Sequence, residues 1–222
     1  TPKKDQINNN REYTVENLMS ISDVIFYKNL GLPLKNIRQM ENMTPEQHYH
    51  LFEKKMSELQ QQQIALQQRM ERVRCHMQAI QTLKELRENP YQDMDIDTDC
   101  IVSFELIERD KLRRYIENPY LYSRVQHSEN MQLEQRGITI VKSDLPAELL
   151  KEQIIWEKKN NNRYITFLMK EEITEGFPND LQRQLQMIQQ KYQTGAVISR
   201  FLVCAQEEGK IYDFYKTFVE II

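Results

Sequence analysis

The chain has 222 residues and a formal net charge of −3, with 40% hydrophobic and 28% charged residues. This composition is typical of a folded soluble protein and excludes a disordered or membrane-spanning chain. Five glycines and the small net charge argue against a glycine-rich phosphate-binding fold and against charge-driven nucleic-acid binding. Three widely spaced cysteines form neither a disulfide framework nor a metal knuckle, so we expect a reducing, cytoplasmic setting.

The first third of the chain contains clear signals for the starts and ends of helices. Residues 1–13 are polar and turn-like, and Thr14 is a good N-cap for a first helix. Gly31 and Pro33 mark the end of that helix and the start of a second one. Residues 44–47 (TPEQ) combine a capping threonine, a proline at the first helical position and a glutamine at the third. They predict the start of a third helix that stops before Pro90.

Apolar residues recur at alternating intervals of three and four along this third helix. The a positions are Tyr49, Met56, Gln63, Met70 and Met77, and the d positions are Phe52, Leu59, Leu66, Val73 and Ile80. The heptad pattern predicts a coiled-coil seam in a helix of about 43 residues, or about 65 Å at 1.5 Å per residue. A helix with so narrow an apolar stripe is rarely stable alone, so we expect a partner helix to pack on it. Gln63 either helps to set the register or lies at a hydrated spot.

Strand patterns dominate the C-terminal half, after an acidic stretch at 90–99 that we interpret as a solvated linker. Runs of β-branched and aromatic residues predict five strands, at Ile101–Ile107, Gly137–Val141, Arg163–Met169, Ala196–Val203 and Phe214–Ile222. A hairpin turn is expected at Glu207–Lys210 and a helix from Asn179, with Leu181, Leu185 and Ile188 on one face. Residues 145–156 are interpreted as a short helix or turn. Together these elements predict an α+β domain at 100–222.

Two N-terminal stretches resemble the MerR family of bacterial transcription regulators. They are residues 10–14 (NREYT) and residues 23–37, which end in LGLPLKNI. In that family an N-Y-R-x-Y wing is followed by a helix pair carrying LG-x-x-L-x-x-I and then by a dimerisation helix. The resemblance covers residues 1–87, and it implies a remnant of a winged-helix DNA-binding domain at 1–43 and a dimerisation helix at 44–89. It further implies a homodimer with antiparallel paired long helices.

The C-terminal half is similar to the GyrI-like effector-binding domain of the multidrug-responsive branch of that family. The similarity rests on element order and on the closing residues Gly209, Tyr212, Phe214, Tyr215, Val219, Glu220 and Ile221. The two resemblances together imply an α+β fold with four segments in chain order. These are a winged-helix remnant, a long coiled-coil dimerisation helix, a linker at 90–99 and a GyrI-like mixed α+β ligand-binding domain at 100–222. Ligand binding would shift the dimer, and the intact protein would thereby twist promoter DNA.

The chain departs from the family at its N-terminal end. It begins with Thr1, where the wing should be, so we expect a fragment or a processed product that lacks the helix-turn-helix. The resemblance places Arg11 and Tyr13 at DNA phosphates, and Lys3 and Lys4 are further candidates. Such contacts position a protein without reading sequence, and the alternative is a solvated basic loop. The cysteines of metal-sensing branches are absent, so no metal or cofactor is expected.

A pocket for a lipophilic cation needs aromatic faces and a carboxylate. Glu220 is the candidate acid, because it lies in an apolar strand and matches an acidic position of the multidrug branch; the alternative is that it points to solvent. The second acidic position of that branch falls near Ser199, and this alignment leaves a neutral or differently charged ligand open. The aromatic candidates are Trp156, Phe167, Tyr192, Phe201 and Tyr215.

The resemblance implies a ligand-responsive transcription regulator that binds promoter DNA as a homodimer, senses a small lipophilic or cationic effector and has neither enzymatic activity nor a membrane partner. One alternative is a GyrI-like hydrolase or binding protein without DNA function, using a pocket glutamate and tyrosine as an acid–base pair. Another is a coiled-coil scaffold with a protein-binding domain. The four histidines show no zinc spacing, and no catalytic nucleophile is indicated.

Overall fold

The computed structural model describes residues 3–4, 11–105, 107–140, 153–159 and 162–222. The chain divides into two units, Thr1–Arg69 and Met70–Ile222, and the division falls within the long helix. The finer division into four segments, expected from the resemblance, stays a prediction.

The first unit begins with a short antiparallel ribbon. Its strands are β1 (Lys3–Lys4) and β2 (Arg11–Glu12), paired with Lys4 opposite Arg11. Helix α1 (Val15–Asn29) starts at Thr14, whose hydroxyl accepts a hydrogen bond from the backbone N–H of Asn17 at 3.3 Å. This capping confirms the predicted start of the first helix.

Gly31 ends this region of helix with a φ of 78°, a left-handed conformation that glycine adopts without steric cost. The next helix, α2 (Leu34–Met40), follows Pro33 directly. A small core forms beneath both helices, in which Leu32, Ile37 and Met40 are buried against Tyr27, Met43, Leu51 and Phe52. The helix stop and restart are therefore as predicted, while the assignment to a winged-helix domain stays a prediction.

The long helix α3 spans Pro45–Glu88, close to the predicted bounds. Thr44 and Gln47 cap it reciprocally: the Thr44 N–H donates to Gln47 Oε1 at 2.9 Å, and the Gln47 N–H donates to Thr44 Oγ1 at 3.3 Å. Most seam residues are exposed along its length: Tyr49, Met56, Leu59, Leu66, Met70, Val73 and Met77. Its few buried residues, Ala79, Leu83 and Leu86, lie in its last three turns.

The second unit contains the strands β3 (Gln92–Asp93), β4 (Cys100–Ser103), β5 (Tyr122–His127), β6 (Asn130–Ile140), β7 (Ile154–Glu157), β8 (Arg163–Glu172), β9 (Thr194–Glu207) and β10 (Lys210–Ile221). They form an eight-stranded antiparallel sheet in the order β3-β8-β10-β9-β5-β6-β4-β7. Helix α4 (Arg109–Glu117) and a 3₁₀ turn at Pro119–Leu121 precede β5, and helix α5 (Leu181–Gln189) precedes β9.

The same strand–helix–strand–strand order occurs twice in this unit. The first copy is β4-α4-β5-β6 and the second is β8-α5-β9-β10. Within each copy the last strand lies between the other two, and the copies join where β5 pairs with β9. The topology is therefore two-fold pseudosymmetric, with the β5–β9 pair at the centre of the sheet.

Opposite faces of the sheet carry different partners, because successive strand residues point to opposite sides. On one face, Leu181, Leu185 and Ile188 of α5 pack with Phe167, Met169 and Val197. On the other face, Ala79, Leu83 and Leu86 of α3 pack with Leu202, Val203 and Phe214. Further along this second face, Ile101, Tyr164, Ile198 and Phe218 form a cluster that Trp156 covers. No helix among the described residues is long and apolar enough to cross a bilayer.

The predicted strands form with different bounds: β8, β9 and β10 each extend beyond the predicted residues at one or both ends. The other two predicted strands also differ in extent. The first predicted strand runs only over Cys100–Ser103, because Glu105 turns the chain toward α4 with its N–H bonded to Glu108 Oε2 at 2.9 Å. The strand predicted at Gly137–Val141 is the C-terminal end of β6, which begins at Asn130, and Val141 lies outside the described residues. Strand β5 was not predicted, since Ser123, Arg124 and Gln126 interrupt any apolar alternation.

Two further segments differ from their predictions. Ile154–Glu157 forms strand β7 rather than a helix or turn, because it pairs with β4, while residues 145–152 lie outside the described residues. The acidic stretch is not a free linker. Gln92–Asp93 pairs with β8, and Asp93, Asp95 and Asp97 form ion pairs with Arg163, Lys158 and Arg200.

Candidate functional site

The largest described cavity lies at one end of the central β5–β9 pair and has a volume of about 670 Å³. That volume falls in the range of pockets that enclose small organic molecules. His127 and Ala196, which face each other across β5 and β9, contribute to its wall. Residues of β7 and β10 complete it, among them Trp156 and Glu220, so the structure brings these two predicted residues to the same cavity.

The Glu220 carboxylate is held in place from two sides. Its Oε2 accepts a hydrogen bond from the Ala196 N–H at 2.9 Å, and its Oε1 accepts one from the side chain of Asn162. A Cβ at Gly195 would lie 2.6 Å from Oε2, so glycine at this position leaves the space that the carboxylate occupies. Each oxygen retains further acceptor capacity for a ligand donor.

Trp156 supplies an aromatic surface beside this carboxylate. The residue is half-buried on β7, and its ring meets Tyr164 edge-on at a centroid distance of 6.5 Å. Burial, with a further contribution from the charge of Glu220, raises the pKa of Tyr164 to about 12, so its hydroxyl stays neutral.

The charge of the cavity is balanced rather than strongly negative. Glu157 and Glu220 line it together with Lys158 and Lys159. Lys158 is already engaged, because its Nζ lies 2.7 Å from Asp95 Oδ2 and 3.2 Å from the Ile96 carbonyl oxygen. The cavity therefore offers one aromatic face and one fixed carboxylate without a large net field.

The other predicted ligand residues lie elsewhere. Phe167 is 1% exposed in the core under α5, whereas Tyr192 is 40% exposed beyond the end of that helix. Phe201 is half-buried beside Tyr215, with ring centroids 5.9 Å apart. Ser199 is buried and shares a hydrogen bond of 2.9 Å with the Thr217 hydroxyl. These four aromatic residues therefore do not join the wall that Trp156 and Glu220 form among the described lining residues.

A buried charge network, which the sequence did not predict, surrounds Tyr215. Arg124 donates two hydrogen bonds to Glu171, at 2.7 and 2.6 Å, and a third to the Tyr215 hydroxyl at 2.6 Å. The Arg124 and Glu171 side chains are only 12% and 4% exposed, and the guanidinium lies 4.6 Å from the Tyr215 ring centroid. This geometry combines a bidentate ion pair with a cation–π contact.

Carboxylates outnumber cations around Arg124. Glu134 Oε2 lies 3.6 Å from Nη1, and Asn179 donates to Glu171 at 3.3 Å. Burial raises the pKa of Asp213, with a further contribution from Glu171, and burial also raises the pKa of Tyr215. Although burial opposes its charge, hydrogen bonding to Glu171 raises the pKa of Arg124, which stays cationic. No sequence motif marks this network, because Arg124 and Glu171 are 47 positions apart.

The predicted DNA-contacting residues lie on or beside the N-terminal ribbon. Lys3 and Lys4 form β1, and Arg11 begins β2, but the side chains of all three lie outside the described part of the chain. Tyr13 follows directly and is 46% exposed. Within the described ranges, no group of three or more histidine, cysteine, aspartate or glutamate side chains is placed to hold a metal ion.

Comparison of the sequence with models of known protein families found no match, and comparison with curated proteins found no relative.

Proposed function

We propose that this chain forms the dimerising and ligand-sensing part of a ligand-responsive transcription regulator. The observation that carries the proposal is the position of α3, which exposes an apolar heptad seam while its opposite side packs on a sheet with a ligand-sized cavity. Such a helix can bind a second copy of the chain and the sensing sheet at the same time.

The two sides of α3 are separated by their positions around the helix. Ala79 and Leu86 are buried against the sheet, whereas Val73 and Met77 are 59% and 65% exposed. At 3.6 residues per turn, Ala79 and Leu86 lie roughly 180–200° around the axis from Met77. The exposed seam therefore stays open to a partner helix, and a homodimer would cover apolar surface that no described residue of the chain covers.

The residues that line the cavity indicate the chemical class of ligand that it would bind. Trp156 offers an aromatic face, and the carboxylate of Glu220, fixed by Ala196, accepts hydrogen bonds or faces a positive charge. The nearby lysines offset part of the negative charge. These features support a small amphipathic effector with an apolar body and one cationic or hydrogen-bond-donating group.

The proposed DNA function rests on the N-terminal ribbon and on the resemblance of residues 10–37 to the MerR family. Lys3, Lys4 and Arg11 place three cationic residues on two short paired strands. Cations in such a ribbon can contact phosphates, which anchors a protein without reading bases. Such contacts would not by themselves select a promoter, because sequence is read through contacts to base edges.

We favour binding over hydrolysis at the cavity because the nearest tyrosine is a weak acid. Glu220 faces Tyr164 across the β10–β8 pair. A general acid works best with a pKa near the working pH. With a pKa of about 12, Tyr164 would be a poor proton donor at neutral pH.

The lone tryptophan makes the proposal directly testable. In a titration with a panel of amphipathic amines and neutral aromatic compounds, we expect at least one compound to quench Trp156 fluorescence saturably. For a cationic ligand, Glu220→Gln should weaken binding by about tenfold or more, equivalent to about 1.4 kcal/mol. Glu175→Gln, at an exposed turn, serves as the matched control. Unchanged fluorescence across the panel would refute the sensing role.

A further inference from the structure

A second cavity, of about 220 Å³, lies between the last turns of α3 and the middle of β9, whereas the first cavity lies near the start of β9. The two cavities share no described lining residue. The helix contributes Cys75, Gln78 and Thr82, the strands contribute Arg200 and Lys216, and the segments before β4 and β5 contribute Asp97 and Tyr120. Cys75, Gln78 and Thr82 are spaced three and four apart, so they share one face of α3.

Two cations meet one carboxylate in this cavity. Arg200 and Lys216 are direct partners across the β9–β10 pair. Asp97 bridges them, since its Oδ1 accepts a hydrogen bond from Arg200 Nη1 and its Oδ2 lies 3.7 Å from Lys216 Nζ. The two cationic side chains are 17% and 14% exposed, whereas that of Asp97 is 52% exposed. The chain thus holds two largely buried cations against one carboxylate on a solvent-facing segment.

One of the three guanidinium nitrogens of Arg200 has no hydrogen-bond partner among the described residues. Its Nη2 donates to the Tyr120 carbonyl oxygen at 3.2 Å, and Nη1 is taken by Asp97. Its Nε is buried and has no hydrogen-bond partner among the described residues. A buried donor without an acceptor is costly, so an additional acceptor at this guanidinium would be favourable.

An aromatic wall adjoins the cations. The Tyr120 ring stacks on Phe201 with centroids 6.5 Å apart and an interplanar angle of 23°. The Tyr120 hydroxyl is fixed by a hydrogen bond of 2.6 Å to His76 Nδ1. Tyr120 and Phe201 both belong to the lining of the cavity, so the same space offers a positive end and an apolar side.

We propose that this cavity binds a small organic monocarboxylate, whose carboxylate takes the place of Asp97 between Arg200 and Lys216 and whose apolar body rests on Tyr120. The volume equals that of roughly seven waters at about 30 Å³ each, which suits a molecule the size of a single ring with one carboxylate. Because α3 forms one wall, the bound anion contacts the long helix directly. This site is independent of the effector cavity, which Trp156 and Glu220 line, and of any action on DNA.

The direct test uses benzoate as the probe and titration calorimetry as the readout. We expect saturable binding with a Kd of about 1 mM or below in the wild-type chain. Arg200→Gln and Lys216→Gln should each weaken it at least tenfold, whereas Asp97→Asn should strengthen it several-fold by removing the internal competitor. Asp93→Asn, which breaks the Arg163–Asp93 pair outside the cavity, should leave binding unchanged. Circular dichroism and thermal melting establish that each variant is folded.

Cysteine alkylation locates the bound probe. Cys75 lines the cavity, whereas Cys204 is exposed and lies outside its described lining. Benzoate should slow modification of Cys75 by iodoacetamide several-fold, measured by mass spectrometry, without slowing that of Cys204. Protection should be lost in Lys216→Gln and retained in Glu220→Gln, which separates this site from the effector cavity.

Three outcomes would overturn the proposal. The first is absence of saturable benzoate binding to both the wild-type chain and Asp97→Asn. The second is equal binding by the Arg200 and Lys216 variants, or binding without protection of Cys75. The third is tighter binding of inorganic phosphate or of benzyl alcohol than of benzoate, which would assign the cavity to inorganic anions or to neutral ligands.

Discussion

Arg124 and Glu171 form a deeply buried ion pair, in which the two side chains are 12% and 4% exposed. Desolvation makes such a pair a weak source of stability compared with apolar packing, yet removal of one partner leaves the other charge buried. The same principle applies around Asp213, where burial disfavours the charged form. This side of the sheet therefore depends on complete pairing of its polar groups.

Replacement of Arg124 by leucine should lower the free energy of unfolding by about 3–5 kcal/mol, since Glu171 would lose its bidentate partner. Urea denaturation followed by circular dichroism measures the change. Arg113→Leu, which breaks an exposed pair with Glu117 at 3.4 Å, should cost less than about 1 kcal/mol. Equal effects of the two substitutions would show that the Arg124 network is energetically an ordinary surface pair.

The raised pKa of Asp213 predicts how stability depends on pH. Its contribution to the free energy of unfolding should change with pH in the opposite direction to that of a salt-bridged carboxylate. Burial raises its pKa above the ordinary value of 3.8, so the folded chain binds this proton more tightly than the unfolded chain. The associated stability is fully present below the ordinary pKa and is lost as the pH rises through the raised value.

Asp213→Asn should therefore increase the free energy of unfolding at pH 7 and change it less at pH 3. Urea titrations of both proteins at the two pH values measure the difference, with the exposed Glu175→Gln as the control. A larger gain at pH 3 than at pH 7 would contradict the assigned cause.

Residues whose role depends only on their neighbours in the chain could be predicted from the sequence. Thr14, Thr44 and Gly31 were assigned as capping residues because a cap involves only atoms within about one helical turn. Arg124 and Glu171 were not predicted, because their pairing depends on the order of strands in the sheet. No pattern within either strand carries that information.

The long helix shows how one element can serve two surfaces. Its heptad pattern was visible in the sequence because a and d positions repeat over the whole length of the seam. Its contact with the sheet was not, because only Ala79, Leu83 and Leu86 are buried. Three residues within three turns are too few to produce a second periodic pattern.

Leu66→Lys should weaken the proposed homodimer at least tenfold, because it places a charge in the apolar seam. Ile64→Lys is a matched control, since Ile64 is 55% and Leu66 57% exposed in the single chain, but Ile64 lies off the seam. Sedimentation equilibrium at micromolar concentrations measures the association of both variants. A wild-type monomer, or equal effects of the two changes, would refute pairing through this seam.

The strands differ in how well their sequences predict them. Strands β8, β9 and β10 carry long runs of apolar and β-branched residues because both of their faces are buried. Strand β5 has six residues, and Ser123 and Arg124 are enclosed by polar contacts within the fold. Burial of polar residues removes the alternation on which strand prediction depends.

Taken as a whole, the second unit joins two similar strand–helix–strand–strand repeats along β5 and β9. The cavity lined by Trp156 and Glu220 lies at one end of this junction, where His127 faces Ala196. The cavity lined by Arg200 and Lys216 lies near the middle of β9, where Arg200 faces Ser123 and α3 covers the sheet. Both ligands would therefore bind beside the central strand pair, and each would contact more than one element of the unit.

If the effector shifts the dimer, ligand affinity and dimer affinity must be linked, because coupling between two binding equilibria is reciprocal. A compound that quenches Trp156 should then bind wild-type dimer and Leu66→Lys monomer with Kd values that differ about 5- to 150-fold, the range of typical allosteric coupling. Ile64→Lys should match the wild type. Fluorescence titration measures all three values at concentrations where sedimentation has established the association state. Identical Kd values in monomer and dimer would leave ligand binding intact but would exclude its transmission through the α3 seam.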